Sequence, residues 1–324
     1  MVAARSAFLK RDIIVMKKIF IDGKAGTTGL RIYERLGGRA DIEMITLSEE
    51  LRKDENARRE AINAADVAFL CLPDAAAMES VAMVENPNTV IIDTSTAHRT
   101  NPAFAYGFPE LSPEHEEKIR ASKRIAVPGC HASGFIALVQ PLIQKGFLKK
   151  DVRLTCHSIT GYSGGGKKMI EEYESEDRSI LLSAPRQYAL TQEHKHLKEM
   201  KAITGMDHHP IFCPIVSDFY SGMVVTVPLF AEDLCGVTPA DVKALYKDLY
   251  KGPVVRYAEE ISEGGFISGA GLSGKDSMEI SVCGNEERVL LIARYDNLGK
   301  GASGAAVENL NIVLGCDKTL GLEL

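Results

Sequence analysis

The most reactive pattern in the chain is Pro128-Gly129-Cys130-His131-Ala132-Ser133-Gly134. It follows a short apolar strand at 125–128 and opens the apolar run FIALVQPLI, so Cys130 is expected at a helix N-terminus. The partial positive charge there lowers a thiol pKa and favours thiolate, the nucleophilic form of cysteine. The other six of the seven cysteines fall in expected strands, ordinary loops and a terminal helix, where cysteine is usually an inert small hydrophobe. Thiol acyl transfer also needs an acid or base, and Gln192-Glu193-His194-Lys195-His196-Leu197 offers two imidazoles two residues apart. On a strand both would face one side; at a helix start they stand roughly 200° apart, so only one reaches the thiol, and His196 is preferred over His194. His208, His209 and Cys213 lack a fourth ligand at matching spacing, and no metal is assigned.

A second set of residues suits a nucleotide. Gly23, Gly26 and Gly29 are spaced GxxGxxG, with Thr27 and Thr28 among them, between the strand KKIFID and the helical run TGLRIYERL. Glycines there let the backbone approach a pyrophosphate, and the helix N-terminus supplies N–H donors. The second strand, IEMITL, ends without the carboxylate that NAD enzymes place on the ribose hydroxyl; Ser48, Arg52 and Lys53 follow instead. A hydroxyl and two cations suit a 2′-phosphate, so NADP(H) is expected rather than NAD.

These residues need a scaffold. KKIFID, IEMITL, DVAFLCL and TVIID alternate with helical stretches whose apolar residues, such as Leu30, Ile32, Tyr33 and Leu36, recur at helical spacing. That alternation predicts an α/β protein with a doubly wound parallel sheet. Beyond residue 128 the strands RLTCHSIT, GMVVTVPLF, MEISVCG and ERVLLIARYD are longer and partly alternating, which predicts a mostly antiparallel sheet. The stretch 301–314 is again an apolar helix that returns to the first domain.

The bulk numbers agree with an enzyme of two domains: 324 residues, of which 45% are hydrophobic, exceed the roughly 100–200 residues of one domain. A net charge of -6 with dispersed cations gives no field for nucleic acid. No apolar run approaches the roughly 20 residues of a membrane helix. An odd cysteine count without CxxC pairs fits a reducing, cytoplasmic setting. Residues 1–15 read as an N-terminal extension.

Taken in order, the GxxGxxG turn, Thr94-Ser95-Thr96-Ala97-His98-Arg99, Tyr106-Gly107-Phe108-Pro109-Glu110, ProGlyCysHis, GYSGGGKK, EHKHL and NLGKGASGAAVENLN resemble the short-form N-acetyl-gamma-glutamyl-phosphate reductases from about Met16 onward. The resemblance implies a Rossmann-type NADP domain over 16–129 and 300–324. It implies an inserted α+β catalytic and oligomerisation domain over 130–299. It further implies Cys130 as nucleophile, the histidine pair as acid and base, NADPH as hydride donor, and Asn297, Gly301, Ser303 and Gly304 closing over the cofactor. Glu308 stands where the family pattern leads one to expect glutamine. On this reading Arg99 holds the leaving phosphate of an acyl-phosphate substrate. Ser163, Gly164, Gly165 and Lys167 bind its anionic groups at a helix start, and Glu110 positions the substrate or a neighbour. Apolar strands such as GMVVTVPLF pairing across subunits predict a homodimer or homotetramer.

Three other readings compete. Gly161-Tyr162-Ser163-Gly164-Gly165 is GxSxG between a strand and a helix, as in a serine hydrolase, with Asp207 and His208 or His209 available downstream. An aspartate-semialdehyde dehydrogenase shares the fold and thiol chemistry. A non-catalytic NADP-binding sensor keeps the glycines but has no use for a reactive thiol.

Overall fold

The computed structural model describes residues 16–324, so the expected extension at 1–15 lies outside the described residues. Strand β1 (Lys17–Asp22) runs into the glycine turn and helix α1 (Thr27–Leu36), followed by β2 (Ile42–Ile45), α2 (Glu55–Ala64), β3 (Val67–Leu70), α3 (Asp74–Ala82) and β4 (Val90–Asp93). Two very short strands, β5 (Ala105–Tyr106) and β6 (Arg124–Ala126), flank α4 (Pro113–Ala121) in sequence. They complete a six-stranded sheet, β2-β1-β3-β4-β6-β5, in which every pairing is parallel. β3 and β4 are buried along their whole length, which is why they are continuous apolar runs without alternation. The chain passes from β2 back across β1 to β3, so the glycine turn opens at the point where strand order reverses, where such sheets bind ligands.

Helix α5 (Cys130–Gln144) is buried from His131 through Ile143 and forms the centre of the second unit. Its Pro141 lacks the N–H that would bond to Ala137 O, and the hydroxyl of Tyr250 donates to that carbonyl instead at 2.6 Å. The second sheet consists of β7 (Thr155–Gly161), β8 (Arg186–Gln187), β9 (Ile211–Ser217), β10 (Met223–Phe230), β11 (Val255–Tyr257), β12 (Met278–Gly284) and β13 (Arg288–Tyr295). Its order is β11-β12-β13-β10-β7-β9-β8. Four neighbouring pairs are antiparallel, whereas β11–β12 and β7–β9 are parallel. Helices α6 (Gly166–Glu174), α7 (His196–Thr204) and α8 (Pro239–Leu249) accompany it. The apolar core gathers α5, α7 and α8 on one face of this sheet. The α/β class expected from sequence, with a doubly wound parallel sheet and a second, mostly antiparallel one, is therefore what forms.

Helix α9 (Gly304–Leu314) is buried from Gly304 to Ile312 and packs its Ala305, Ala306, Val307 and Leu310 into the core of the parallel sheet. A helix buried all round carries no amphipathic stripe, and its polar residues Glu308, Asn309 and Asn311 are buried with the apolar ones.

The apolar spacing of α1 is borne out as a helix: Ile32 and Leu36 are buried in the core, half-buried Tyr33 packs against it, and Leu30, 45% exposed, lines an open cleft together with Tyr33. One expectation needs correction. GMVVTVPLF does not offer an edge for pairing across subunits, because β10 is already bonded to β13 and β7. What it offers is a face. The register sets Thr155 opposite Ile211, Ile159 opposite Val224 and Pro228 opposite Leu290, so Ile159, Ile211, Phe230 and Leu290 project together from the side away from α5. Among the described residues no helix is long and apolar enough to cross a membrane.

Candidate functional site

Cys130 is the first residue of α5, and the elements around it converge on a cleft of about 290 Å³. Its walls include Thr27, Thr28, Arg99, Cys130, His131, Ser163, Gly164, Gly165, Tyr188, His194, Lys195, His196, Asn297 and Gly301. Residues from both sheets and from the α9 approach thus meet at the thiol. Tyr295, at the end of β13, holds the helix start: its hydroxyl donates to Cys130 O at 2.5 Å and accepts from Gly134 N at 3.0 Å.

The thiol departs from the sequence expectation. Burial raises its pKa above the ordinary value, although Arg99, the backbone N–H of His131 and Lys195 all pull the other way. The helix terminus alone predicted the opposite sign, because desolvation is decided by how the rest of the chain closes over the sulfur. A protonated resting thiol makes a neighbouring base necessary. Burial keeps the imidazoles neutral: His131 falls to about 3, His194 to about 4, and His196 lies well below its usual range. Neutral imidazoles are proton acceptors at physiological pH.

Both members of the histidine pair line the cleft, with ring centroids 4.8 Å apart. Helical spacing would let only one of them face the thiol, but α7 begins at His196 and His194 precedes it in non-helical backbone, so both reach the cleft. His194 accepts the backbone N–H of His196 on Nδ1 at 3.2 Å, which steadies the turn. A Cβ on Gly129 would lie 2.6 Å from His196 Nε2 and closer still to Arg99 Nη1, so the imidazole and the guanidinium both abut the peptide just before Cys130. His196 Nδ1 is buried without a hydrogen-bond partner.

Sequence reasoning missed Glu199, the residue that ties the site together. One turn after His196 on α7, its buried carboxylate accepts from Gly129 N at 2.8 Å, from the Tyr106 hydroxyl at 2.8 Å and from Arg99 Nη1 at 3.2 Å. The i, i+3 spacing from His196 places both side chains on one helix face and was a readable signal. His131 was passed over as well. Its Nδ1 pairs with Ser158 Oγ at 2.6 Å and its Nε2 with the Tyr188 hydroxyl at 2.7 Å, and no spacing rule links these three residues.

Arg99 is buried rather than a surface cation. It donates to Val127 O and Thr94 O, each at 2.9 Å, as well as to Glu199, leaving two of its five N–H donors for the cleft. Ser163 is buried, and its hydroxyl accepts from Asn297 Nδ2 at 3.0 Å, while Asn297 Oδ1 accepts from Gly222 N at 2.8 Å. No histidine bonds to Ser163, and neither Asp207, His208 nor His209 lines the cleft, so the GxSxG segment lacks the partners of a hydrolase. Lys167 is exposed outside the cleft, on α6. Glu110 does not face the cleft either: both its carboxylate oxygens accept from Lys300 at 2.7 Å. Ser303 donates to Leu298 O, and Gly304 packs against Asp276, so these two support the turn below the thiol instead of lining its cleft.

The thiol cleft continues into a trench. Thr27, Thr28, Thr94, Arg99 and Lys195 border both the cleft and a second hollow over Gly26 and Gly29, which shares Leu72 with a third, of about 460 Å³, beside β2. Gly23 has a left-handed φ of 85°, and a Cβ on Gly29 would sit 2.7 Å from Gly23 O, so the turn is closed too tightly for side chains. Gly26 caps α1 without a side-chain hydrogen bond and the first turn holds no acid, which leaves its N–H groups to an anion. Arg52 and Lys53 line the far hollow; Ser48 does not, and Glu49 stands there paired to Arg52 at 2.7 Å. A dinucleotide with its phosphates on α1 and its ring at Cys130 fits this trench.

Comparison with known proteins gives the same picture. Residues 27–119 match the family model "Semialdehyde dehydrogenase, NAD binding domain", and residues 130–297 match "Semialdehyde dehydrogenase, dimerisation domain". N-acetyl-gamma-glutamyl-phosphate reductase 2 of Nostoc sp. is 42% identical over 318 residues, covering 94% of this chain and 99% of that protein. The N-acetyl-gamma-glutamyl-phosphate reductase of Mesorhizobium japonicum is 45% identical over 311 residues, covering 92% and 99%. Among solved structures, aspartate semialdehyde dehydrogenase II of Vibrio cholerae complexed with ASA superposes with a TM-score of 0.69 at 15% identity, covering 93% of this chain and 98% of that one. The Candida albicans aspartate semialdehyde dehydrogenase with NADP gives 0.62 at 15%, covering 94% and 99%. At that identity the structures share the fold alone, whereas the full-length relatives above 40% fix the lineage: the chain belongs to the N-acetyl-gamma-glutamyl-phosphate reductase family.

Proposed function

We propose that this protein reduces N-acetyl-γ-glutamyl phosphate to N-acetylglutamate 5-semialdehyde and phosphate with NADPH, a step of arginine biosynthesis, through a thioester on Cys130. The observation that carries the reading is the meeting of Cys130, the neutral imidazole of His196 and buried Arg99 in a cleft continuous with the dinucleotide trench. His196 takes the thiol proton, and the thiolate attacks the acyl carbon, forming the C–S bond as the bond to phosphate breaks. The two remaining donors of Arg99 receive the departing phosphate. NADPH, when bound, supplies the hydride that reduces the thioester carbon. The hemithioacetal oxygen then reforms a carbonyl, the C–S bond breaks, and His196 returns its proton to the sulfur. Gly164, beside Asn297, and Gly165, against Met169, give the substrate's polar groups backbone to approach, and His131, fixed by Ser158 and Tyr188, keeps the wall behind the thiol rigid.

The test is the reverse reaction. Phosphate-dependent reduction of NADP by N-acetylglutamate semialdehyde is expected, with aspartate semialdehyde a poor substrate; a preference for the latter would replace the substrate assignment by the aspartate-semialdehyde alternative. The same assay separates the cofactors. Replacing Arg52 and Lys53 by alanine together is expected to raise KM for NADPH by about tenfold or more while leaving that for NADH nearly unchanged, since charge-assisted bonds to a 2′-phosphate are worth about 1.5–3 kcal/mol. Equal effects on both cofactors would place the 2′-phosphate elsewhere.

The exposed apolar face carrying Ile159, Ile211, Phe230 and Leu290 is the surface on which a second copy associates, giving a homodimer or, by further pairing, a homotetramer. The protein works in the cytoplasm, where its seven unbridged cysteines stay reduced.

A further inference from the structure

Below the thiol, the chain between β13 and α9 forms a turn of π-helix, Gly299–Ser303. Gly301 N donates to Asp296 O and Ser303 N to Leu298 O, both at 2.9 Å, the i to i−5 pattern of that helix. A Cβ on Gly301 would lie 3.1 Å from Cys130 Cβ, so the turn is the floor on which the nucleophile rests. One end is held by Asp296, whose Oδ1 accepts from Leu298 N at 2.6 Å and from Gly299 N at 3.0 Å. The other end is held by a charge cluster that the reaction does not consume. Lys300, 2% exposed, turns its ammonium inward to Glu110, at 2.7 Å from each oxygen, and to Glu308 Oε2 at 2.5 Å, with Phe108 beneath it at 4.8 Å.

We propose that Lys300 is a positioning residue for the reaction: clamped between Glu110 and Glu308, it holds the π turn in the one conformation that sets Gly301 against Cys130. An isolated lysine would not be drawn into the interior, where desolvation of an ammonium is costly, unless carboxylates met it there. The clamp spans three stretches of chain: the short turn before α4, the π turn and α9. A π turn gains no hydrogen bonds over an α turn, so its persistence at this place needs an external constraint, and the cluster supplies one.

Geometry also says how the charges are arranged. Two carboxylates and one ammonium leave an excess negative charge, and Glu308 Oε1 is buried without a hydrogen-bond partner. A proton on Glu308 removes the excess. Burial first, and the neighbouring Glu110 second, raise its pKa from 4.5 to about 8, against the pull of Lys300. Glu110 and Lys300 are the charged groups acting on Glu308; Tyr250, from the end of α8, faces Glu110 and is itself held protonated by burial. The native state therefore keeps a proton that the unfolded chain releases near pH 4.5. Its contribution to stability is present at low pH and declines as pH rises from there through about 8. Glutamine at 308 would fill the same space without that proton.

The inference rests on the thioester reading, and its experiment has readouts that do not depend on turnover. Lys300→Met is expected to lower kcat by about tenfold or more with a smaller change in the KM for NADPH, since misplacement of a reacting group by about 1 Å can cost about 100-fold. It is also expected to shift the pH profile of Cys130 alkylation by iodoacetamide, measured without substrate or cofactor. Glu308→Gln should flatten the fall of melting temperature between pH 5 and 9 that is expected of the wild type. A folded Lys300→Met protein with wild-type kcat and wild-type alkylation profile would overturn the proposal and leave the cluster as packing. Should that variant fail to fold, hydrogen exchange on the wild-type protein decides: if the clamp holds the π turn in one conformation, the amides of Gly301 and Ser303 should be protected as strongly as those of β4, after correction for intrinsic rates. Exchange of these two amides at the rate of an unprotected loop would equally overturn it. Loss of turnover in the wild type itself, with the alkylation and exchange results as expected, would sink the substrate assignment and spare the clamp.

Discussion

Cys130→Ala is expected to abolish acyl-phosphate reduction and the reverse reaction by a factor of about 10⁴ or more while leaving the fold and the binding of NADPH intact. No other nucleophile stands in its place. Ser163 is held by Asn297 and has no base; Cys156 is fully buried in the core, and Cys71, half-buried at the hollow over Gly26 and Gly29 rather than in the thiol cleft, has its thiol pushed up to about 12 by desolvation. The substitution removes only a small, partly buried side chain at a helix start, so the melting temperature should move by a few degrees at most. Binding of NADPH, followed by quenching or enhancement of its fluorescence, separates loss of chemistry from loss of the site. Residual reduction within a hundredfold of wild type would mean direct hydride transfer to the acyl phosphate, and the thioester would have to be given up.

The second large effect is expected at Glu199. Alanine there leaves Arg99 buried with no counter-charge and strips acceptors from Gly129 N and the Tyr106 hydroxyl. Breaking such a pair from one side costs about 3–5 kcal/mol, so the melting temperature should fall by roughly 10 °C. Glutamine is the informative variant. Its Oε1 can still accept from Gly129 and Tyr106 but the charge that anchors Arg99 is lost, so only the part of the stability owed to those two hydrogen bonds should return while kcat/KM stays roughly 10 to 100-fold low. Calorimetry and steady-state kinetics on the two variants separate the roles. Glutamine at full wild-type rate would reduce Glu199 to a structural acceptor and remove Arg99 from phosphate binding.

Both effects show where the tertiary structure adds what the linear pattern lacks. Cys130 could be singled out because helix starts are signalled locally, by Pro-Gly before an apolar run. The glycine turn, β1, β3, β4, β10, β12 and β13 were legible for the same kind of reason: buried strands must be apolar, and a tight turn over a helix N-terminus must be glycine. β5, β6 and β8, of two or three residues, carry no periodicity to read, and they are strands only because neighbours bond to them. Leu30 followed the helical period yet faces the trench, since a binding surface is apolar for the same reason a core is.

The residue types at the site, their order along the chain, the family they mark and the α/β fold class with its two sheets were thus determined by the sequence alone, because each depends on local chemistry or on the spacing of neighbours. The sign of the thiol shift, the convergence of His194 and His196 on one cleft, the withdrawal of Glu110 into the Lys300 cluster and the central place of Glu199 were decided only in three dimensions. The physical reason is common to them. Burial and charge pairing are sums over everything that surrounds a group, and residues far apart in the chain, 190 positions for Glu110 and Lys300, supply those surroundings.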